Sequence, residues 1–134
     1  MKTVLIAEDN PVNRELLREL LEMRGYAVVE ASDGEQTLKQ INGSIPDILL
    51  LDLNMPVLDG FGTLKRIRQD PRLASLPVLA VTAYAMRGDR EKILSSGFDG
   101  YLSKPITSVE LERELERLLG PDFQTSDKII RSEK

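Results

Sequence analysis

Four short apolar runs, each followed by a residue able to do chemistry, restrict this 134-residue chain to few folds. Val4-Leu5-Ile6-Ala7 runs into Glu8-Asp9, Ile48-Leu49-Leu50-Leu51 into Asp52, and Val78-Leu79-Ala80-Val81 into Thr82. Lys104 lies just past Tyr101-Leu102. Runs of this length suit strands, and apolar runs without strict alternation suit strands covered on both faces. Helical patterns fill the intervals. Val12, Leu16, Leu17, Leu20 and Leu21 form one stripe expected to face the core, with Asn10 as cap, Pro11 in the first turn and Gly25 at the end. A short strand over 27–30 precedes a helix capped by Asp33, with Leu38 and Ile41 inward, broken by Asn42-Gly43 and Pro46. A third strand over 47–51 leads through the loop 52–60, with Pro56 and Gly60, to a helix from about Phe61 that turns Phe61, Leu64 and Ile67 inward and ends at Asp70-Pro71. A fourth strand over 77–81, a helix over roughly 87–96 with Ile93 and Leu94 as its apolar pair, Gly97 and a fifth strand over about 100–102 follow. The last helix, with Ser108 as its cap, carries a Leu111, Leu115, Leu118, Leu119 stripe and stops at Gly120-Pro121.

The pattern is (βα)₅. Strands alternating with helices imply an α/β fold, a doubly wound parallel sheet with helices on both faces, because each crossover is right-handed. Residues 1–119 fit one domain. Beyond them, Phe123, Ile129 and Ile130 cannot build a core, so 120–134 reads as a C-terminal tail or the start of a linker.

Composition removes several function classes. The chain has no Cys and no His, which excludes disulfides, thiolate metal sites, and imidazole as base, ligand or phosphate carrier. A net charge of −4 offers no basic footprint for nucleic acid. No apolar stretch approaches the ~20 residues of a membrane span. Met1-Lys2-Thr3 enters a strand directly, without the layout of a signal peptide, so a cytoplasmic location is expected.

In open α/β sheets, ligands bind outside the carboxyl ends of the strands, which is where the polar residues fall. Glu8, Asp9 and Asp52 bring three negative charges to one edge, and like charges so close call for a cation between them. Oxygen ligands without His or Cys favour Mg²⁺, Mn²⁺ or Ca²⁺. Lys104 is the strand-end ammonium, able to pair with Asp52 or to neutralise a phosphoryl oxygen, and Thr82 offers a hydroxyl beside small Ala83. Pro105 restrains the backbone after Lys104 and is a candidate for a cis bond. A carboxylate, a hard metal, a hydroxyl and an ammonium make a phosphoryl acceptor: Asp attacks phosphorus to give an acyl phosphate, and the cations offset the charge on the transferring oxygens.

These residues resemble the receiver domain of two-component response regulators, over residues 2 to about 119. The resemblance lies in Ile6-Ala7-Glu8-Asp9-Asn10, in Asp52 with Asn54-Met55-Pro56 and Asp59-Gly60, in Thr82-Ala83 and in Lys104-Pro105, in the order and spacing of that family. It implies a flavodoxin-like sheet of strand order 2-1-3-4-5 and Asp52 as the phosphoacceptor. It implies Mg²⁺, with Mn²⁺ as the alternative, held by Glu8, Asp9, Asp52 and the Asn54 backbone carbonyl. Thr82 would then move toward the phosphoryl group, Tyr101 would be the switch aromatic that follows it, and Lys104 would pair with the phosphate. Many receivers have Asp where Glu8 stands, which bears on metal geometry.

The resemblance further implies a protein that is not an enzyme in the turnover sense: a phosphoacceptor signalling domain that catalyses only its own phosphorylation and slow dephosphorylation. Lacking His, the chain needs its phosphoryl group from another molecule, a histidine kinase, a histidine phosphotransfer protein or a small acyl phosphate. The expected output is a protein target reading helix 4, strand 5 and helix 5, by a monomer or a phosphorylation-promoted dimer, with no direct contact to nucleic acid or membrane. Thr82-Ala83-Tyr84-Ala85-Met86 with Arg87-Gly88-Asp89 looks like stand-alone cell-cycle-type receivers or those of hybrid kinases, and Asn54 and Tyr84 fall near the path of an attacking water. Two rivals share parts of the pattern. A haloacid-dehalogenase-type phosphatase also uses a nucleophilic Asp and Mg²⁺, but wants an acid two residues on, where Asn54 stands. A flavin carrier wants a phosphate loop after the first strand, where Glu8-Asp9-Asn10-Pro11 would repel one.

Overall fold

Val4 and Ile6 pack to one side of the first strand and Leu5 and Ala7 to the other, and all four are buried. That is the local reason for a sheet with helices on both faces. The structure is a computed structural model and describes residues 1–83 and 87–120. Tyr84, Ala85, Met86 and the segment from Pro121 onward, including Phe123, Ile129 and Ile130, lie outside the described residues.

The elements run β1 (Thr3–Ala7), α1 (Pro11–Glu22), β2 (Ala27–Ala31), α2 (Gly34–Gly43), β3 (Ile48–Asp52), α3 (Gly60–Arg68), a 3₁₀ turn (Pro71–Leu73), β4 (Val78–Thr82), α4 (Arg87–Ser95), β5 (Gly100–Ser103) and α5 (Ser108–Leu119). The five strands are ordered β2-β1-β3-β4-β5, all parallel, a flavodoxin-like sheet as the pattern and the resemblance anticipate. α1 and α5 cover one face, where Leu17, Leu21, Leu111 and Leu115 meet Ile6, Leu50 and Val81. α2, α3 and α4 cover the other, where Ile41, Leu64, Ile67 and Ile93 meet Leu5, Leu49 and Ala80. Each fully buried Leu or Ile contributes about 1.5–3 kcal/mol. These two layers hold the strand ends in place.

Helix boundaries follow the anticipated chemistry, with corrections. Asn10 Oδ1 caps α1, accepting from the amides of Val12 at 2.9 Å and Asn13 at 3.0 Å. Gly25, at φ 86°, closes the helix region: Tyr26 N–H donates to Leu21 O at 3.2 Å and Gly25 N–H to Glu22 O at 3.0 Å, the bond pair of a Schellman ending. Asp33 caps α2 by accepting from Gln36 N–H at 2.8 Å. The expected inward stripe of α1 is narrower than the apolar pattern, for Val12 and Leu16 are 66% and 54% exposed. A five-residue stripe is wider than the face that α1 presents to the sheet. In α4, Ile93 is buried and Leu94 is exposed, so that apolar pair does not pack as a unit. The cap of α5 is Thr107, which accepts from Glu110 N–H at 3.2 Å, and Ser108 is the first helical residue. The third and fourth strands extend one residue further than the apolar runs, so Asp52 and Thr82 are themselves strand residues.

Candidate functional site

Three loops at the carboxyl edge of the sheet bring the expected residues together. After β1, Glu8 N–H donates to Ala31 O at 3.0 Å, extending the β1–β2 ladder. Asn10 N–H donates to Glu8 Oε2 at 3.1 Å and folds that carboxylate inward, leaving Glu8 1% exposed and Asp9 open to solvent. Asp52, the last residue of β3, is 2% exposed. Its Oδ1 accepts from Asn54 N–H and its Oδ2 from Lys104 Nζ, each at 2.9 Å. Lys104 is in turn fixed by its own N–H, which donates to Thr82 O at 2.8 Å, and the Lys104–Pro105 peptide is cis.

The loop between β3 and α3 is bent tightly against Asp52. Leu58 N–H donates to Pro56 O at 2.7 Å across Val57, whose φ is 69°. An i→i+2 turn at positive φ is rare and strained, the more so for a β-branched residue. Asp59 caps α3, accepting from Gly62 N–H at 2.8 Å, and Gly60 N–H donates to Leu53 O at 3.1 Å. A Cβ on Gly60 would stand 2.6 Å from Asp52 O, so glycine is required where α3 starts against the strand end.

The electrostatics centre on a cation shared by two acids. Lys104 Nζ lies 2.9 Å from Glu8 Oε1 as well as 2.9 Å from Asp52 Oδ2. The approach to Glu8 is not aligned as a hydrogen bond, and Oε1 is left buried with no hydrogen-bond partner. Burial, with the Asp52 carboxylate adding to it, raises the Glu8 pKa to about 7, against the lowering effect of Lys104 and the Asn10 amide. Burial opposes the Lys104 charge, but Asp52 and Glu8 together hold its pKa above the usual lysine value. Carboxylate oxygens of Glu8, Asp9 and Asp52 all lie within 4.8 Å of one another. Two buried carboxylates that share a single ammonium, an all-oxygen donor set and an exposed third acid fit a hard divalent cation that keeps several waters.

Thr82 is 1% exposed at the end of β4, next to β3, where Asp52 pairs with Val81. Tyr101 pairs with Ala80, is half-buried against the α2-α3-α4 core, and has the Arg90 guanidinium 5.9 Å from its ring centroid. A cleft of about 130 Å³, lined by Leu53, Asn54, Phe61, Thr82, Asp89 and Lys92, opens beside the strand ends. Asp89 and Lys92 carry no mark in the sequence that would place them there, because α4 has the weakest apolar pattern of the helices. Lys92 Nζ stands 4.8 Å over the Phe61 ring, which itself meets Phe98 edge to face at 5.8 Å.

The sequence profile of the response regulator receiver domain matches residues 4–116. The chain belongs to the response regulator receiver family. Polar-differentiation response regulator DivK of Brucella anthropi is 37% identical over 119 residues, 89% of this chain and 97% of that protein. Among solved structures, the receiver domain of sensor histidine kinase PA1611 from Pseudomonas aeruginosa, with a magnesium ion coordinated in its active site cleft, superposes with TM-score 0.83 at 38% identity, covering 90% of this chain and 98% of its own. Vibrio cholerae chemotaxis protein CheY4 superposes with TM-score 0.82 at 29% identity, over 88% of this chain and 98% of its own. A receiver is a signalling domain of two-component systems, not a turnover enzyme, which sets aside the phosphatase and flavin readings. No helix among the described residues is long and apolar enough to cross a membrane.

Proposed function

We propose that this receiver takes a phosphoryl group onto Asp52 from a phosphohistidine on another protein and thereby changes a protein-binding face made by α4, β5 and α5. The observation that carries this reading is Asp52 itself: a buried carboxylate at a strand end, with one oxygen on Lys104 and acids for a metal beside it. A carboxylate is itself the attacking form and needs no base to activate it. Its oxygen forms a bond to phosphorus, the P–N bond to the donor imidazole breaks, and the electron pair leaves with the imidazole, which takes a proton from solvent.

Glu8, Asp9, Asp52 and the Asn54 backbone carbonyl would hold Mg²⁺, or Mn²⁺ in its place. When bound, the cation neutralises charge on the phosphoryl oxygens. Lys104 is released from Asp52 Oδ2 as that oxygen or its neighbour is phosphorylated, and its ammonium turns to the phosphoryl group. Thr82 supplies a hydroxyl donor, and Tyr101 carries the change outward to β5 and α4. Slow return of the group to water restores the carboxylate.

In this reading 1–119 is the receiver unit, and 120–134 is a tail or linker. The donor is a histidine kinase or a histidine phosphotransfer protein, the target a protein, the state a monomer or a phosphorylation-promoted dimer, and the location the cytoplasm. The test is transfer of radiolabel from a phosphorylated histidine phosphotransfer protein, with Mg²⁺ and with chelator. Label should move to this chain only with the metal; transfer undiminished by chelator, or none from any donor including acetyl phosphate, would refute the reading.

A further inference from the structure

Arg14 is the fourth residue of α1, where a cation opposes the positive end of the helix dipole. Its contacts explain what holds it there. Nη1 donates to the Glu8 carbonyl oxygen at 2.8 Å, and Nε donates to Glu30 Oε1 at 2.8 Å. Glu30 lies on β2 beside Ile6 of β1, and its second oxygen is paired with Arg18 Nη1. The guanidinium therefore spans from a clamped carboxylate on the neighbouring strand to the loop that follows β1.

The atom it grips is well chosen. The Glu8 carbonyl belongs to the peptide that joins Glu8 to Asp9, so its direction sets how those two side chains diverge. The other side of Glu8 is held as well, for its N–H donates to Ala31 O at 3.0 Å. With the strand fixing the N–H and Arg14 fixing the C=O, the segment between the two acids has little freedom.

We propose that Arg14 is a positioning residue for the metal site, bridging Glu30 and the Glu8–Asp9 peptide so that the two acids keep the spacing a divalent cation needs. This rests on the reading of Glu8, Asp9 and Asp52 as Mg²⁺ ligands. Mg²⁺ demands near-ideal octahedral geometry, so a small turn of this peptide costs affinity. The rigid fork of arginine supplies two donors at a fixed angle, which a lysine ammonium cannot reproduce across both acceptors. Simple electrostatics predicts the opposite sign: a positive charge near the site repels the cation, and its removal should tighten binding.

The experiment is a calorimetric titration of the full chain with Mg²⁺, alongside thermal melts, for wild type, Arg14→Ala, Arg14→Lys and Arg18→Ala. Both Arg14 variants should bind Mg²⁺ about 10-fold more weakly or worse, as loss of groups that orient metal ligands does. Arg14→Lys keeps the charge and carries the test if the alanine variant unfolds. Arg18→Ala removes a cation from Glu30 but no bond to the Glu8–Asp9 peptide, so it should weaken Mg²⁺ binding far less than either Arg14 variant does. Unchanged or tighter binding in a folded Arg14 variant would overturn the proposal, as would equal weakening in Arg18→Ala. A wild type that takes up no Mg²⁺ would instead remove the metal reading itself, and the proposal with it.

Discussion

Lys104 Nζ stands 2.9 Å from Asp52 Oδ2 across 52 residues of chain, and the same ammonium reaches to 2.9 Å from Glu8 Oε1. One cation serves two buried acids at the place proposed for the metal. Lys104→Met would leave those acids without a counter-charge. The metal-free variant should lose about 1–3 kcal/mol, less than the loss on breaking a fully buried pair, because the lysine is partly exposed. It should also gain more from Mg²⁺ than wild type does, since the metal then replaces the charge that Lys104 gave to both carboxylates. Scanning calorimetry with and without Mg²⁺ checks this, and equal metal-induced shifts in both proteins would show that lysine and metal do not share the same charge.

Glu8 makes stability depend on pH. Its carboxyl is raised from 4.5 to about 7 by burial, with Asp52 beside it. Between those values the folded state holds a proton that the unfolded state has released, so folding stability falls as pH rises through the window. The metal-free protein should therefore lose on the order of a few kcal/mol from the lower to the upper end. Glu8→Gln should flatten the profile, and Mg²⁺ affinity should rise with pH over the same range, because the metal needs the ionised carboxylate. Urea titrations across the window measure the slope; parallel profiles for wild type and Glu8→Gln would assign it to other groups.

Gly60 couples the start of α3 to the end of β3. An added Cβ would meet Asp52 O at 2.6 Å and Leu53 Cα at 2.7 Å, both backbone atoms that cannot swing aside. Gly60→Ala should destabilise by about 1–3 kcal/mol and slow phosphorylation, since relief requires moving the strand end. Gly43→Ala is the control: a Cβ there meets nothing within 4 Å, and stability should hold or rise. Denaturant midpoints and the rate with acetyl phosphate report the two effects, and a neutral Gly60→Ala would mean that α3 yields instead.

Thr82 is proposed to link phosphorylation to the partner face. A phosphoryl group adds about −1.5 to −2 charges at Asp52, and the Thr82 hydroxyl is buried at the neighbouring strand end. Thr82→Ala should still accept phosphate but gain little partner affinity from it, because a ligand shifts a two-state equilibrium only by its differential affinity. Partner binding with and without a phosphoryl mimic gives the comparison; an equal gain in wild type and variant would confine Thr82 to a structural role.

Much of this was legible in residues alone, for identifiable reasons. Strands covered on both faces read as continuous apolar runs, so the ends at Ala7, Asp52 and Thr82 stood out, and a parallel α/β sheet places such ends on one edge. What was not legible depends on choices that periodicity does not encode. Val12 and Leu16 belong to the α1 stripe by spacing, yet they are exposed while Leu17 and Leu21 of the same stripe are buried. Thr107 and Ser108 are both able caps, and only the backbone decides between them. The contact of Lys104 with Glu8 as well as Asp52 comes from strand register between distant segments. Arg14 looks like any surface arginine until its two acceptors are seen.

The most direct measurement is the mass and the site of modification after incubation with acetyl phosphate and Mg²⁺. Wild type should gain one phosphoryl group, mapped to Asp52 by borohydride reduction and peptide sequencing, and Asp52→Asn should gain none. A phosphoryl group found on another residue of the wild type, or full labelling of Asp52→Asn, would contradict the assignment of Asp52 as the acceptor.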